Sequence, residues 1–284
     1  MATSERVATP GRRGARRQAA APQPALVLHR YDWSESSLIL DLFTRDSGRV
    51  AAAAKGAKRP YSQLRSVLMP FQRVLVQFGH SRGDDAAEVH TLRSAEWAGD
   101  GTRISGEAWF AAFYLNELLM RLLARDDPHA QLFDAYAATL QGLDCGAAAE
   151  PEAVLRAFEL LLLRETGVLP QLDRATLTQQ PVTADQWYTL RPEQGLVASA
   201  AAEGALRGSH CLALAAALDA VAVGGEARLP LAPLHAACAD AQAGLKAQLR
   251  AQLHYHLGGT KLRTRQIMIE SYRLLATEPS TPSP

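Results

Sequence analysis

SSLILDLFTRDSGRVAAAAKGAKRPYSQLRSVLMPFQRVLVQF, residues 36–78, combines strand patterning with a dense run of positive charge. Leu38, Leu40 and Leu42 share one face of an extended segment, and Val50, Ala52 and Ala54 share one face of the next. Arg45-Asp46-Ser47-Gly48 separates the two runs. Gly48 is free to take the positive φ that closes a short turn, so the pair predicts a β-hairpin. Val74, Val76 and Phe78 then alternate with Arg73, Leu75 and Gln77, the period of a half-buried strand. The connector Lys55-Gly56-Ala57-Lys58-Arg59-Pro60-Tyr61 holds three cations, a glycine, a proline and an aromatic ring.

Arg49 and Arg65 flank this connector, and between Leu42 and Pro70 only Asp46 is acidic. The field around the loop is therefore positive whatever rotamers its side chains adopt, and phosphates are drawn to it. Trp33 and Tyr61 fall in loops on either side of the hairpin, placed to stack on bases or to cap the barrel core. A charged run of this kind also serves simply as a solvated loop that keeps a strand edge soluble.

Working outward, the apolar run from Ala25 to Tyr31 reads as a first strand and residues 33–37 as its loop. Glu88 to Arg93 reads as a fifth strand, reached through the polar loop His80 to Asp85. Five short strands with an insertion after the third match an OB-fold barrel, although periodicity alone admits another small barrel. Residues 1–24 carry five arginines among Gly, Pro and Gln, bury too little to fold and read as a disordered basic tail. An organelle transit peptide is the other reading of such a start, but no amphipathic helical stripe accompanies it.

Past residue 100 the period becomes helical. Trp109, Phe110, Phe113, Tyr114, Leu115, Leu118, Leu119, Leu122 and Leu123 cover most of one cylinder, which predicts a central buried helix. Further helices are expected from His129 to Leu143, from Pro151 to about Gly167, from Ser209 to Val223, from Pro233 to His256 and from Lys261 to Leu275. Residues 168–207 carry Pro170, Pro181, Pro192 and Gly195 and read as a small irregular module with short strands near Trp187–Leu190 and Leu196–Ala198. Residues 276–284 read as a disordered tail. The class is α+β: a nucleic-acid-binding barrel over 25–100, then a helical domain over 101–275.

At 284 residues and 48% hydrophobic content the chain has ample material for two packed cores. Charged residues interrupt every apolar run well short of a membrane span. Cys145, Cys211 and Cys238 have no paired spacing, which speaks against a disulfide framework or a zinc site and suits a reducing cytosol. The formal net charge of +1 conceals an asymmetry: 15 basic against 10 acidic residues over 1–100, 9 against 17 over 101–245, and 6 against 2 over 246–284. Separate surfaces for separate partners are implied.

No GxxxxGK[ST] loop, GxGxxG fingerprint, HExxH pair or GxSxG elbow occurs. Gly258-Gly259 reads as a helix-ending turn. His254 and His256 are two apart on an expected helix and point in different directions, which disfavours metal chelation. Lys261, Arg263 and Arg265 either extend the nucleic-acid surface or are solvated cations. Catalysis and cofactors are therefore not expected. On these residues alone, a DNA-binding mediator and an RNA-handling OB-fold protein fit equally well.

ALVLHRYDWSESSLILDLFTRDSGRVAAAAKGAKR, YLNELLMRLL, LRAFELLLLRETGVLPQLD and HLGGTKLRTRQI, in that order, resemble the landmarks of the bacterial RecO family of DNA repair proteins from Ala25 to Leu275. The resemblance implies an N-terminal OB-fold, a helical domain and a cytoplasmic, nucleoid-associated mediator. Such a mediator binds single- and double-stranded DNA, anneals complementary strands and helps load recombinase. Implied partners are single-stranded DNA-binding protein, through its acidic C-terminal tail, RecR, the RecA filament indirectly and, in some lineages, RecF. Some family members carry a four-cysteine zinc module after GVLPQLD. Residues 168–207 here contain neither Cys nor His, so packing must hold the module. An acidic tail seated in a hydrophobic groove would want an arginine at the rim for its terminal carboxylate, and Arg121, Arg125 and Arg156 are the candidates.

Overall fold

The structure, a computed structural model, describes residues 21–79, 89–99, 104, 106, 108–143, 150–223 and 229–276. Five strands come first: β1 (Gln23–Asp32), β2 (Leu38–Thr44), β3 (Gly48–Ala54), β4 (Arg73–Phe78) and β5 (His90–Trp97), with a single-turn helix α1 (Leu64–Val67) between β3 and β4. They close in the order β1-β2-β3-β5-β4, every neighbouring pair antiparallel except β3 with β5. This is the OB-type barrel. Its interior holds the side chains that the period of two selects, among them Leu38, Leu40, Leu42, Val50, Ala52, Val74, Val76 and Phe78.

Two barrel boundaries differ from expectation. Gln23 and Pro24 belong to β1 and not to a tail; the rest of the expected N-terminal tail lies outside the described residues. The fifth strand runs from His90 to Trp97, past the expected end at Arg93, and its pairing with β4 passes from Leu92 to Ser94, leaving Arg93 as an extra residue; Glu88, the expected start, lies outside the described residues. That bulge interrupts the alternation, and the sequence pattern stops there. The expected loop from His80 to Asp85 lies outside the described residues.

Three helices follow: α2 (Ala108–Leu122), α3 (Ala130–Gly142) and α4 (Pro151–Glu165). A small sheet, β6 (Trp187–Arg191), β7 (Gly195–Ser199) and β8 (Leu206–Arg207), leads to α5 (Gly208–Val223), α6 (Leu231–Asp240), α7 (Gln242–His256) and α8 (Arg263–Ala276). α8 thus includes Ala276, and the rest of the expected C-terminal tail is outside the described residues. The helix expected from Pro233 to His256 is two helices. Their break at Ala241 brings Gly244 against the sheet module, where a Cβ would stand 2.9 Å from the Ala205 carbonyl oxygen. Tertiary packing, not a sequence breaker, sets that turn.

Apolar packing and a few directed hydrogen bonds hold the module. Tyr188, Leu190, Leu196 and Leu206 join the helical core. The Tyr188 hydroxyl accepts from the Thr183 N–H at 2.9 Å, and Gln248 of α7 accepts from the Leu190 N–H at 2.7 Å. Cys211 and Cys238 are buried free thiols, each pushed up to about 12 by burial, while Cys145 lies outside the described residues.

The barrel and the helices share one core. Leu26, Leu28, Phe43 and Phe71 point out of the barrel into the cluster built by α2, α3 and α4. Leu26 and Leu28 share that outward face by the period of two, and a bulge follows, because the pairing with β2 passes from Val27 to His29 and leaves Leu28 as the extra residue. Asn116 of α2 donates to the Leu28 carbonyl at 2.7 Å and accepts from the buried Tyr136 hydroxyl. Gly48 (φ 69°) presses on the α2–α3 connection so closely that a Cβ would stand 1.9 Å from the Asp127 carbonyl oxygen.

Two substitutions test this seam by urea unfolding. Asn116→Leu strands the Leu28 carbonyl and the Tyr136 hydroxyl, and should cost about 2–4 kcal/mol. Gly48→Ala adds a steric collision to a strained φ and should cost more than about 2 kcal/mol. An unchanged midpoint in both variants would contradict the shared-seam assignment.

Candidate nucleic-acid interface

The connector between β3 and α1 is built around one buried methyl group. Ala57 is fully buried and closes one end of the barrel core, so Lys55, Lys58 and Arg59 are turned toward its rim. Turns bonded from Arg59 N–H to the Gly56 carbonyl at 3.2 Å and from Ser62 N–H to the Arg59 carbonyl at 3.0 Å shape the rest.

Lys58 fuses this loop to the one between β1 and β2. Its backbone N–H donates to the Ser36 carbonyl at 3.0 Å, and its Nζ donates to the Ser34 carbonyl at 2.9 Å and pairs with Asp32 at 3.3 Å. Trp33, 70% exposed, and Tyr61, 99% exposed, therefore lie on two loops tied to the same lysine. Lys55, Arg59 and Arg65 are exposed, with no carboxylate in ion-pairing range among the described residues. Lys58 is positioned by its bonds as much as it is displayed.

Arg49 departs from expectation. It forms a bidentate pair with the buried Asp41, at 2.8 and 2.9 Å, and donates to the Met120 and Leu123 carbonyls at the end of α2. Its side chain is 14% exposed, so it clamps the barrel to the helices and is not displayed to a ligand. Sequence reasoning registers its charge but not its direction, because the residue alternates with Val50 onto the outward face that the helices cover.

Lys261, Arg263 and Arg265 are exposed at the start of α8. Cations are unfavourable beside a helix N-terminus, and Glu117 offsets them. Its carboxylate accepts from the backbone N–H groups of Arg263 and Thr264, both at 2.9 Å, and from the Thr264 hydroxyl at 2.7 Å, while pairing with Arg121 at 2.8 Å. Burial raises its pKa, but the bonds from Thr264 and Arg263 and the Arg121 charge outweigh this and hold it below the ordinary value. The charge of Arg263 reaches His29 on β1 and, after burial, helps lower that imidazole's pKa. Of the α8 cations, Arg263 is thus the one whose charge is felt at β1. Glu117, a polar member of an apolar helix, is the residue the sequence reading passes over.

The three arginines offered as candidates for a rim have different surroundings. Arg121 is bound to Glu117. Arg125 lies in the α2–α3 turn beside β3, where its backbone bridges to that of Arg49. Arg156 is 12% exposed and paired at 2.9 Å with Glu159, which is fully buried and also accepts from the Tyr114 hydroxyl at 2.6 Å. Removing Arg156 would strand a buried carboxylate. The Gly258-Gly259 pair ends α7: Gly259 N–H donates to the His254 carbonyl and Gly258 N–H to that of Tyr255, both at 2.9 Å.

The family model for recombination protein O, N terminal, matches residues 20–99, and that for recombination protein O, C terminal, matches 103–266. The chain is 52% identical over 250 residues to the DNA repair protein RecO of Variovorax paradoxus (strain S110), covering 87% of this chain and 94% of that one. It is 51% identical over 253 residues to that of Verminephrobacter eiseniae (strain EF01-2), covering 88% and 96%. With that of Acidovorax ebreus (strain TPSY) it shares 49% over 262 residues, covering 89% and 98%.

The cap on α8 gives a pH signature. A carboxyl depressed in the folded state stabilises above its unfolded value, near 4.5, and that contribution is lost as pH falls through the lower folded value. Glu117→Gln should therefore cost about 1–2 kcal/mol at pH 7, a cost that shrinks below pH 4.5. It should also speed amide exchange at Arg263 and Thr264. Equal exchange in both proteins would remove the cap from the account.

Proposed function

This chain belongs to the RecO family of DNA repair proteins, and from that premise we propose that it is a non-enzymatic mediator that binds single- and double-stranded DNA and anneals complementary strands. Helping to load recombinase on strands coated with single-stranded DNA-binding protein is part of the same proposal. The observation that carries it is the joining of two exposed aromatic side chains, Trp33 and Tyr61, to one cationic loop through Lys58. Stacking rings interleaved with exposed cations are what a flexible, negatively charged strand with exposed base faces requires.

In this reading the barrel, about residues 25–100, holds DNA, with Lys55, Arg59 and Arg65 on phosphates, Trp33 and Tyr61 on bases, and Lys58 ordering both loops. Lys261, Arg263 and Arg265 extend the path along the start of α8. The helical domain, about 101–275, receives protein partners: the acidic tail of single-stranded DNA-binding protein, RecR, the RecA filament indirectly and RecF in some lineages. Of the rim candidates, Arg121 keeps an accessible guanidinium, Arg125 sits at the barrel seam and Arg156 acts by supporting the helical core. No helix among the described residues is long and apolar enough to cross a membrane. We place the protein in the cytoplasm, at the nucleoid.

Lys55→Ala with Arg59→Ala tests the assignment without disturbing Lys58. On a single strand each lost phosphate contact should flatten the slope of log affinity against log salt by about 0.7, so the double variant by about 1.4. Affinity should fall alike for all sequences, and annealing of complementary strands should slow with it. A double variant with unchanged slope and annealing rate would move the phosphate-binding surface elsewhere.

A further inference from the structure

OB-fold barrels commonly hold oligonucleotides on the face of strands 2 and 3 and the loops above it. Here the protein's own helices occupy much of that face. At the lowest level Phe43 is sealed against Phe133 and Tyr136, and Arg49, opposite Phe43, is bound to the end of α2. One level up, Asp41 and Ala51 are also closed off, at 2% and 3% exposed.

At the next level the cover ends. The cross-strand register runs Tyr31, Ile39, Ala53, Thr91 over β1, β2, β3 and β5. Tyr31 is 47% exposed and Thr91 exposed, while Ile39 and Ala53 are half-buried. With strands about 4.8 Å apart this is a shallow band roughly 14 Å wide, floored by an alanine and an isoleucine. His29 meets the Tyr31 ring edge-on, with centroids 4.4 Å apart, and so fixes its orientation.

The charges beside the band suit a polyanion. Arg125 is exposed, its backbone is bridged to the start of β3, and its charge acts on Tyr31. From Tyr31 the strand runs into Asp32, Trp33 and Ser34, the loop held by Lys58. The acidic neighbours are paired: Asp41, whose charge also acts on Tyr31, is held by Arg49, Asp32 by Lys58, and Asp126 at the far edge by His90 at 3.5 Å.

We infer that the band seats one unpaired base stacked on Tyr31, with the adjoining phosphate drawn to Arg125, so that this part of the surface takes single strands in preference to duplex. A duplex keeps its base faces stacked inside and has none to offer. A base face and an aromatic ring need no sequence match. The inference rests on the reading of the barrel as the DNA-binding domain and assigns to that surface a strand preference and two residues.

The test uses the full chain with a thymidine oligomer and a hairpin duplex of equal length, compared by fluorescence anisotropy. Tyr31→Ala should weaken single-strand binding about fivefold or more, with duplex affinity changed less than about twofold and the salt slope kept. Tyr31→Phe, which retains the ring, should bind like the parent. Arg125→Ala should flatten the single-strand salt slope by about 0.7. Full single-strand affinity in Tyr31→Ala, or equal loss on both ligands, would overturn the base seat. Loss in Tyr31→Phe would assign the effect to the hydroxyl and overturn stacking. A parent protein that binds neither ligand would instead refute the DNA-binding reading itself.

Discussion

One hydrogen bond sets the geometry from which the surface follows: the Asn116 amide donating to the carbonyl of Leu28, the extra residue of the β1 bulge. A bulge leaves a backbone group outside the ladder, and a buried carbonyl without a donor is costly. Asn116 supplies the donor, and Tyr136 completes the pair by donating to the Asn116 oxygen. Burial pushes the Tyr136 phenol well above its ordinary pKa, so it remains a neutral donor. The barrel is thereby fixed against α2 and α3, with Leu26, Leu28 and Phe43 in their core.

That fixation decides where charge can be displayed. On the covered face Arg49 is absorbed into structure, binding Asp41 and the end of α2, while Arg45 holds Asp134 of α3 at 3.1–3.2 Å. On the uncovered rim, Ala57 anchors a loop in which Lys55 and Arg59 have no acidic partner among the described residues, and Lys58, paired with Asp32, joins it to the Trp33 loop. Glu117 does at the start of α8 what Asn116 does at the bulge. Each is a polar side chain on the apolar helix α2 that satisfies backbone groups of another element.

The barrel was legible in the sequence because its interior alternates: Leu38, Leu40, Leu42 and Val50, Ala52, Ala54 name the buried face before any coordinates do. Trp33, Tyr61, Lys55 and Arg59 were legible as loop residues, since turn chemistry surrounds them. Direction was not legible wherever another element covers an outward face. Arg49 and Arg156 look like free cations in the sequence and are bound ones in the structure: the Met120 and Leu123 carbonyls that Arg49 reaches are brought to it by tertiary packing, and Arg156 pairs with Glu159 one turn along α4. The break at Ala241 was hidden for the same reason, and the fifth strand was misplaced because its bulge disrupts the period.

Photo-crosslinking measures the central claim most directly. A single strand carrying 5-bromodeoxyuridine is irradiated on the full-length protein, and the adducts are mapped by mass spectrometry. The account predicts adducts on Trp33 and Tyr61, with further ones on Tyr31, and none in the module of β6, β7 and β8. Adducts confined to that module or to α5 and α6, with the barrel rim unmodified, would contradict it.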